Sequence, residues 1–571
     1  MTRPQATPRA IAVARGDEPA DLLLSGGRVF SPARREWVDT ALALADGVVA
    51  GWGQREAHEV VDVGGCALTP AFIDAHMHLE STKLWIDEFV RAVLPHGTTA
   101  VAADPHEVAN VLGVPGVLAL ADAAAPLPFS FGVYASSCVP ASPFESSGAA
   151  LDAEDIRGLI EEHGARGVAE VMNFPGVIGG DPEMLARIRA AAGRRVDGHS
   201  PGVTGRELDA YLAAGVESDH ESTTLDEVVE RRRKGMWVFI RQGSASQNLK
   251  ALIPDVVEHG TDLAALCTDD REPDTLLRAG HINDCARLAV ANGVSEVDAL
   301  LLASTNPAGY HGFHRLGSLG PGMQADVLCF DELGTWRPAR VWQAGRLVAS
   351  AGQVVAGAVP AAPIPELMRG TMNIGTLPGP EQLVLTHAPG THVRAVGVES
   401  RSLTTRDRVL TVGDAAADLA HAAVVERHHA TGRAGLGYAT GFGITRGAMA
   451  STVAHDGHNC VTVGAPGAGA DMATAVARLA ELGGGQVAVL EGRVLAEVPL
   501  PLAGLMSDLP AREVADQIAA LNEAAASRLG TTVEEPFMQL SFFALSVIPE
   551  LRLTDGGLVD VGQFAYVPVE A

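Results

Sequence analysis

Within Asp74-Ala75-His76-Met77-His78, two imidazoles stand two residues apart. On a strand that spacing puts both on one side of the pleat, where they can share a metal ion. Alone the pair says little, because histidines two apart also occur as ordinary surface or core residues. It gains meaning from the nitrogen and oxygen ligands that follow at the ends of later apolar runs: Asp104 and His106, Glu170, His199, His220, and the neighbours Asp269 and Asp270. His76, His78, Glu170, His199, His220 and Asp269 make a set of six mixed donors. Such a set suits two divalent first-row metals held a few ångströms apart, which lower the pKa of a bridging water and make hydroxide available at neutral pH.

Residues this far apart meet only where a fold gathers them. Between about Leu68 and Tyr310, short β-rich runs alternate with longer helical patterns, the signature of βα units and a parallel sheet. Eight candidate strands cover residues 71–78, 98–104, 129–136, 167–173, 194–200, 215–220, 237–241 and 263–270. Eight strands close a barrel, and the C-terminal strand ends meet on the face where catalytic groups gather. Almost every candidate strand ends in metal-competent polar residues, and that coincidence is the strongest argument for an enzyme. Outside the barrel, residues 21–50 show apolar runs broken by Gly and Asp-Gly turns, and the same texture returns over 322–347. Strands from both flanks could therefore form one small sheet domain around an insertion. After an Ala-, Gly- and Pro-rich linker ending near Pro365, further strand-like runs, a Gly-rich stretch (432–447) and a helical run (514–528) suggest a separate domain. With 571 residues, two or three units are expected.

The chain is 47% hydrophobic and 19% charged, enough to bury large cores. A net charge of −27 repels phosphate backbones and anionic lipid, so neither nucleic acid nor a membrane is expected as a partner. Arg231-Arg232-Arg233-Lys234 follows a helix-like pattern and reads as a solvated helix C-terminus. Six widely spaced cysteines without a Cys-x-x-Cys pair read as reduced thiols. Residues 1–17 lack an apolar signal core and no run approaches the roughly 18 apolar residues of a membrane span, so a cytoplasmic location is expected.

Longer stretches carry more information: Phe72-Ile73-Asp74-Ala75-His76-Met77-His78-Leu79-Glu80-Ser81; Leu94-Pro95-His96-Gly97-Thr98-Thr99; Asp104-Pro105-His106-Glu107-Val108-Ala109-Asn110; Glu170-Val171-Met172-Asn173-Phe174-Pro175-Gly176; Asp197-Gly198-His199-Ser200; Glu217-Ser218-Asp219-His220-Glu221; and Cys267-Thr268-Asp269-Asp270-Arg271. On these the chain resembles the amidohydrolase superfamily and, within it, the adenine deaminase family, across nearly its whole length. The His-x-His pair is common to the superfamily. The segments at Asp104 and Glu170 are far more particular.

The resemblance implies an α/β fold: a (β/α)8 TIM-like barrel (residues 68–315), a flanking small β-sandwich from residues 1–67 and 316–358, and an additional C-terminal α+β domain (366–571). It implies two divalent metal ions, Mn2+ or Fe2+, with His76, His78, Glu170, His199, His220 and Asp269 as ligands. It also implies hydrolysis of adenine to hypoxanthine and ammonia, and a homo-oligomer. Asp269 rather than Asp270 takes the strand-eight position by this likeness, while the sequence alone does not separate them. Relatives often bridge the metals with a carboxylated lysine, but this chain has only Lys83, Lys234 and Lys250, none ending a candidate strand, so Glu170 takes that place. In the implied reaction hydroxide attacks C6, Asp269 takes its proton and passes it to the departing amine, and an acid near N1 neutralises developing charge. Glu107, with His106 beside it, is the candidate acid. The same residues also read as a helix start, with Asp104 as N-cap and Glu107 at the third position. Asp104, Ser137 and Asp270 are expected beside the substrate.

Two departures from the family pattern stand out: Ala71 replaces the usual glycine before Phe-Ile-Asp, and Gln242 stands where glutamate is expected. Ala454-His455-Asp456-Gly457-His458-Asn459 resembles the family too, yet it and Glu426-Arg427-His428-His429 read as polar turns rather than catalytic groups. The competing readings are a cyclic-amide hydrolase of the hydantoinase or dihydroorotase kind, a deaminase of another aminopurine, and a catalytically dead barrel. The missing lysine, the Asp-Pro-His-Glu segment and the long C-terminal domain weigh against the first, and the full ligand set weighs against the last, while another aminopurine stays open.

Overall fold

The computed structural model describes residues 7–244, 246–400, 402–414 and 417–571. All eight expected barrel strands form: β1 (Phe72–Met77), β2 (Thr98–Ala103), β3 (Ser130–Val133), β4 (Gly167–Val171), β5 (Arg195–Gly198), β6 (Ser218–Asp219), β7 (Trp237–Arg241) and β8 (Ala264–Cys267). Parallel ladders join β1 to β2, β2 to β3, β4 to β5, β6 to β7 and β7 to β8. Shorter runs of backbone hydrogen bonds close the other seams. Ala135 bridges to Val168, Glu217 N donates to Val196 O at 2.9 Å, and Met77 pairs with Asp269. β1, β2, β4 and β8 are buried along their whole length, as expected for parallel strands covered on both faces. Most of these strands stop short of their predicted ends, because the polar residues there leave the ladder to face the barrel mouth.

Strands from the two flanks share one sheet. In order, it holds Gln353–Val354, Arg346–Ser350, Arg340–Gln343, Val327–Phe330, Ala67–Pro70, Arg28–Ser31 and Glu36–Asp39, and the antiparallel pairing of Leu68 with Cys329 stitches the N-terminal part to the part after the barrel. A second sheet, of Val48–Trp52, Leu42–Ala45, Ala20–Ser25 and Ala57–Asp62, packs on it through Leu22, Leu24, Leu44, Val29, Leu68, Val327 and Trp342. The C-terminal part builds an eight-stranded sheet with the helices Gly469–Leu482 and Ala511–Ala524. It touches the barrel through, among others, Ala511 N, which donates to Glu88 Oε2 at 3.0 Å.

The helix after β2, His106–Ala124, starts one residue later than the sequence suggests, with Pro105 at its N-cap and no side-chain cap. The capping-box reading of Asp104 and Glu107 therefore falls. Val108 N instead donates to Glu80 Oε1 at 2.9 Å, so a buried carboxylate from the loop after β1 occupies the helix N-terminus. Gly113, at φ +64°, breaks the helix just before Pro115. Among the described residues this is the one helix long and apolar enough to cross a membrane, and it packs into the barrel core.

The basic run ends a helix, as read, with Arg233 exposed and Lys234 partly so, but its first two arginines turn inward rather than to solvent. The helix Leu225–Arg233 carries Arg231 fully buried: its guanidinium lies 3.1 Å from Asp219 and donates to Ser200 O at 2.6 Å. Arg232 pairs with Asp255 and donates to the carbonyls of Gly260 and Asp262 at 2.7 Å. These cations tie β5, β6 and the β7–β8 connection together rather than facing water. Arg231→Ala is expected to lower the unfolding free energy by about 3–5 kcal/mol, because Asp219 is left buried without its partner. A denaturant midpoint shift at unchanged slope would measure it.

Candidate metal centre

At the C-terminal mouth of the barrel, Glu170 collects imidazoles from three strands. Its carboxylate oxygens lie 3.3 Å from His78 Nε2, 2.7 Å from His199 Nδ1 and 3.2 Å from His220 Nε2. Asp269 Oδ1 lies 3.0 Å from His78 Nε2 and 3.8 Å from His76 Nε2. The rings of His76 and His220 stack with centroids 3.9 Å apart. All six residues are buried, at 5% exposure or less. The strand-end reading thus converges on one place, and the geometry separates the two aspartates: Asp269 turns to the histidines, while Asp270 turns to the Ser81 hydroxyl. Asp269 sits at φ +58°, a left-handed conformation that aims its side chain inward.

The donor set fits a cation. His78 Nδ1 donates to Asp104 O at 2.9 Å, so Nε2 is the nitrogen turned to the Glu170 and Asp269 carboxylates. Burial pushes the ring's pKa down, yet these two carboxylates hold it well above its usual value. A cation placed among these donors would take the place of that ring proton. His76 Nε2 is buried with no hydrogen-bond partner. Burial and the nearby His220 hold the His76 ring well below its usual pKa, so it presents a neutral ring. Burial would push the two carboxyls up. His199 and His220 outweigh this at Glu170, as Arg241 and His78 do at Asp269, and both remain well below the usual carboxylate range.

Supporting contacts fix the ligands. Asp74 Oδ1 accepts from His76 N and from Thr268 N, both at 3.1 Å, locking β1 to the end of β8. Arg241, at the end of β7, donates to the second oxygen of Asp269 and to both oxygens of Glu221 at 2.5 and 2.9 Å. Lys83 pairs with buried Glu272, and Lys250 is exposed, so neither reaches the centre.

The remaining expected site residues divide. His106 lines a cavity of about 30 Å3 beside Glu170, together with Asp270, Glu221 and Arg241. Asp104 faces the ring of His106 at 3.4 Å and accepts from Ser136 at 2.7 Å, so it holds His106 rather than the cavity. Ser137 donates to the Glu170 carbonyl at 2.8 Å and is not at the cavity wall. Glu107 is likewise absent from the wall: it is fully buried, accepts from Ser81 at 2.7 Å, and lies near the rings of His455 and His458. Gln242 does not reach the cavity either, and its carbonyl accepts from Arg271. Ala71 has no left-handed backbone, so the missing glycine costs nothing there.

Sequence reasoning missed Glu221 and Arg241. Both were legible as polar residues ending or following strands, and only their pairing with Asp269 was not. It also misread the turn at Ala454–Asn459 as ordinary. His455 is 5% exposed and His458 fully buried, and His455 and Asp456 line the cavity with Leu403, Phe542, Leu545 and Ile548, all from the C-terminal part. The turn at Glu426 does buttress: His428 Nε2 donates to Gly457 O at 2.7 Å and His429 Nε2 to Ser147 O at 2.8 Å.

The barrel loop over residues 141–149 clamps this roof. Glu145 accepts from Gly457 N and from Ser546 Oγ, both at 3.2 Å. The dry surroundings of its carboxyl, then Asp456, push its pKa up to about 8 from 4.5 in the unfolded chain. A carboxyl raised on folding stabilises most below about 4.5, and that contribution fades as pH rises to about 8. Stability measured from pH 5 to 9 should therefore fall more steeply in the wild type than in Glu145→Gln.

A family model described as "Amidohydrolase family" matches residues 67–355, and one described as "Adenine deaminase C-terminal domain" matches residues 397–565. The chain is 42% identical over 578 residues to adenine deaminase of Desulfatibacillum aliphaticivorans, covering 98% of this chain and 99% of the relative. It is 40% identical over 568 residues to adenine deaminase of Brucella anthropi (98% and 99%) and 39% identical over 567 residues to adenine deaminase 2 of Carboxydothermus hydrogenoformans (98% and 98%). With the amidohydrolase match over the barrel and these full-length likenesses, the chain belongs to the amidohydrolase family, in its adenine deaminase branch.

Proposed function

We propose that this protein hydrolytically deaminates adenine, converting adenine and water to hypoxanthine and ammonia at the barrel mouth. The observation that carries the reading is the Glu170 centre, where four histidines and two carboxylates converge, buried, at the barrel mouth. His76, His78, Glu170, His199, His220 and Asp269 would hold two divalent ions, and this nitrogen- and oxygen-only set suits manganese or iron. When bound, the ions supply acidification of water, so that a hydroxide nucleophile is available at neutral pH.

The chain's own groups do the rest. Asp269 accepts the proton of the attacking water and delivers it to the amine leaving C6, while Arg241 holds its second oxygen in place. His106, whose ring reaches the cavity, neutralises charge developing at ring N1. Glu107 lies behind the wall, beside Ser81 and the rings of His455 and His458. Leu403, Phe542, Leu545 and Ile548 cover the site and exclude water. The flank sheets over 1–67 and 316–358 form the small β-sandwich, 68–315 the barrel and 366–571 the C-terminal domain.

The test is ammonia release and ultraviolet change on adenine, beside hydantoin and dihydroorotate, with protein expressed under iron chelation and manganese supply. Turnover of adenine to hypoxanthine is expected. Hydrolysis of a cyclic amide with adenine untouched would overturn the substrate while leaving the metal chemistry standing.

A further inference from the structure

Asp456 lies in a turn held from several sides. His455 N donates to Ser541 O at 2.7 Å, Gly457 N to Glu145 at 3.2 Å, and Asn459 Nδ2 to Ser146 O at 2.8 Å. Arg427 Nε donates to His458 O, and its Nη2 donates to Ala503 O at 2.9 Å. A Cβ on Gly504 would come within 2.7 Å of this guanidinium, so the backbone there is shaped around it. A solvated turn needs no such fixing.

Asp456 itself is 2% exposed. A carboxylate this deep is costly unless cations or donors face it. Among the described residues none comes from an arginine or lysine. Its Oδ1 lies 3.3 Å from His106 Nε2 and 3.6 Å from His455 Nδ1, and its Oδ2 has no hydrogen-bond partner. The opposite edge of the His106 ring, Nδ1, lies 3.4 Å from Glu170 and 3.4 Å from Asp104. One imidazole is thus gripped between a carboxylate of the C-terminal part and the carboxylate at the centre of the ligand set.

We propose that Asp456 is a positioning residue for the deamination, acting through His106: the C-terminal part sets the orientation of a ring on the barrel. The inference rests on the reading of the site as an adenine deaminase centre. Without Asp456, His106 keeps its contacts on one edge only and can swing about its side-chain torsions, so the group facing the base is no longer held in one orientation.

The experiment is a double-mutant cycle in the full-length, metal-loaded protein, with Asp456→Asn, His106→Gln and the double variant, each checked for metal content and melting temperature. Asp456→Asn is isosteric and is expected to keep its metal, lose about 10–100-fold in kcat, and change KM little. Asp456→Glu should recover part of the loss. In the His106→Gln background Asp456→Asn should cost nothing further, because its effect passes through that ring. Multiplicative losses in the double variant, or wild-type kcat in Asp456→Asn, would overturn the proposal. So would a loss fully explained by missing metal or a collapsed melting temperature with no rescue by glutamate. Wild-type protein inert toward adenine would instead overturn the substrate reading on which the inference stands.

Discussion

Glu170→Gln is expected to abolish both metal retention and turnover. Three imidazoles lie within 3.3 Å of this carboxylate, so one substitution removes the charge around which the proposed ion site is gathered. Glutamine has nearly the same shape, and the fold should survive. An amide cannot offer two anionic oxygens to two cations. Adenine turnover should fall by about 10³-fold or more, beyond the 10–100-fold expected of an outer-shell partner. Metal analysis after dialysis should find well under the wild-type content, with a melting transition still cooperative. Full metal content with full activity would show that another group bridges the ions.

Asp269→Asn is expected to separate chemistry from binding. Asp269 contacts His78 with one oxygen and Arg241 with the other, and its left-handed backbone aims it into the site. Asparagine can still offer an oxygen to a metal but cannot carry a proton from water to the leaving amine. A positioned general acid–base is worth about 10²–10⁴-fold in rate. Turnover per bound metal should fall within that range, while KM stays close to wild type. If activity per metal is unchanged, the proton passes through a different group, and Asp270 at the cavity wall is the next to test.

Much of the barrel and of the side chains gathered at its mouth was legible because the signal is local. Each β-rich run with a histidine or carboxylate at its end announces itself in a few residues, and the eight-strand count then fixes where those ends meet. Glu170, His199 and His220 could be placed in this way without any long-range contact. What was not legible depends on pairs distant in the chain. Arg231 reads as one of four surface cations until Asp219 is found beneath it. Arg241 and Glu221 need Asp269 to give them a purpose. Asp104 and Glu107 look like a helix start, and only the carboxylate of Glu80 taking the N-terminus shows otherwise. The turn at His455 and Asp456 is separated from His106 by some 350 positions of sequence. No pattern within the C-terminal part could reveal that its roof reaches the ring.

The most direct test of hydrolytic deamination is to run the metal-loaded enzyme on adenine in H2 18O and weigh the purine product by mass spectrometry. Attack by water at C6 predicts hypoxanthine carrying one 18O, formed together with ammonia. Unlabelled product, or adenine recovered unchanged, would contradict the account.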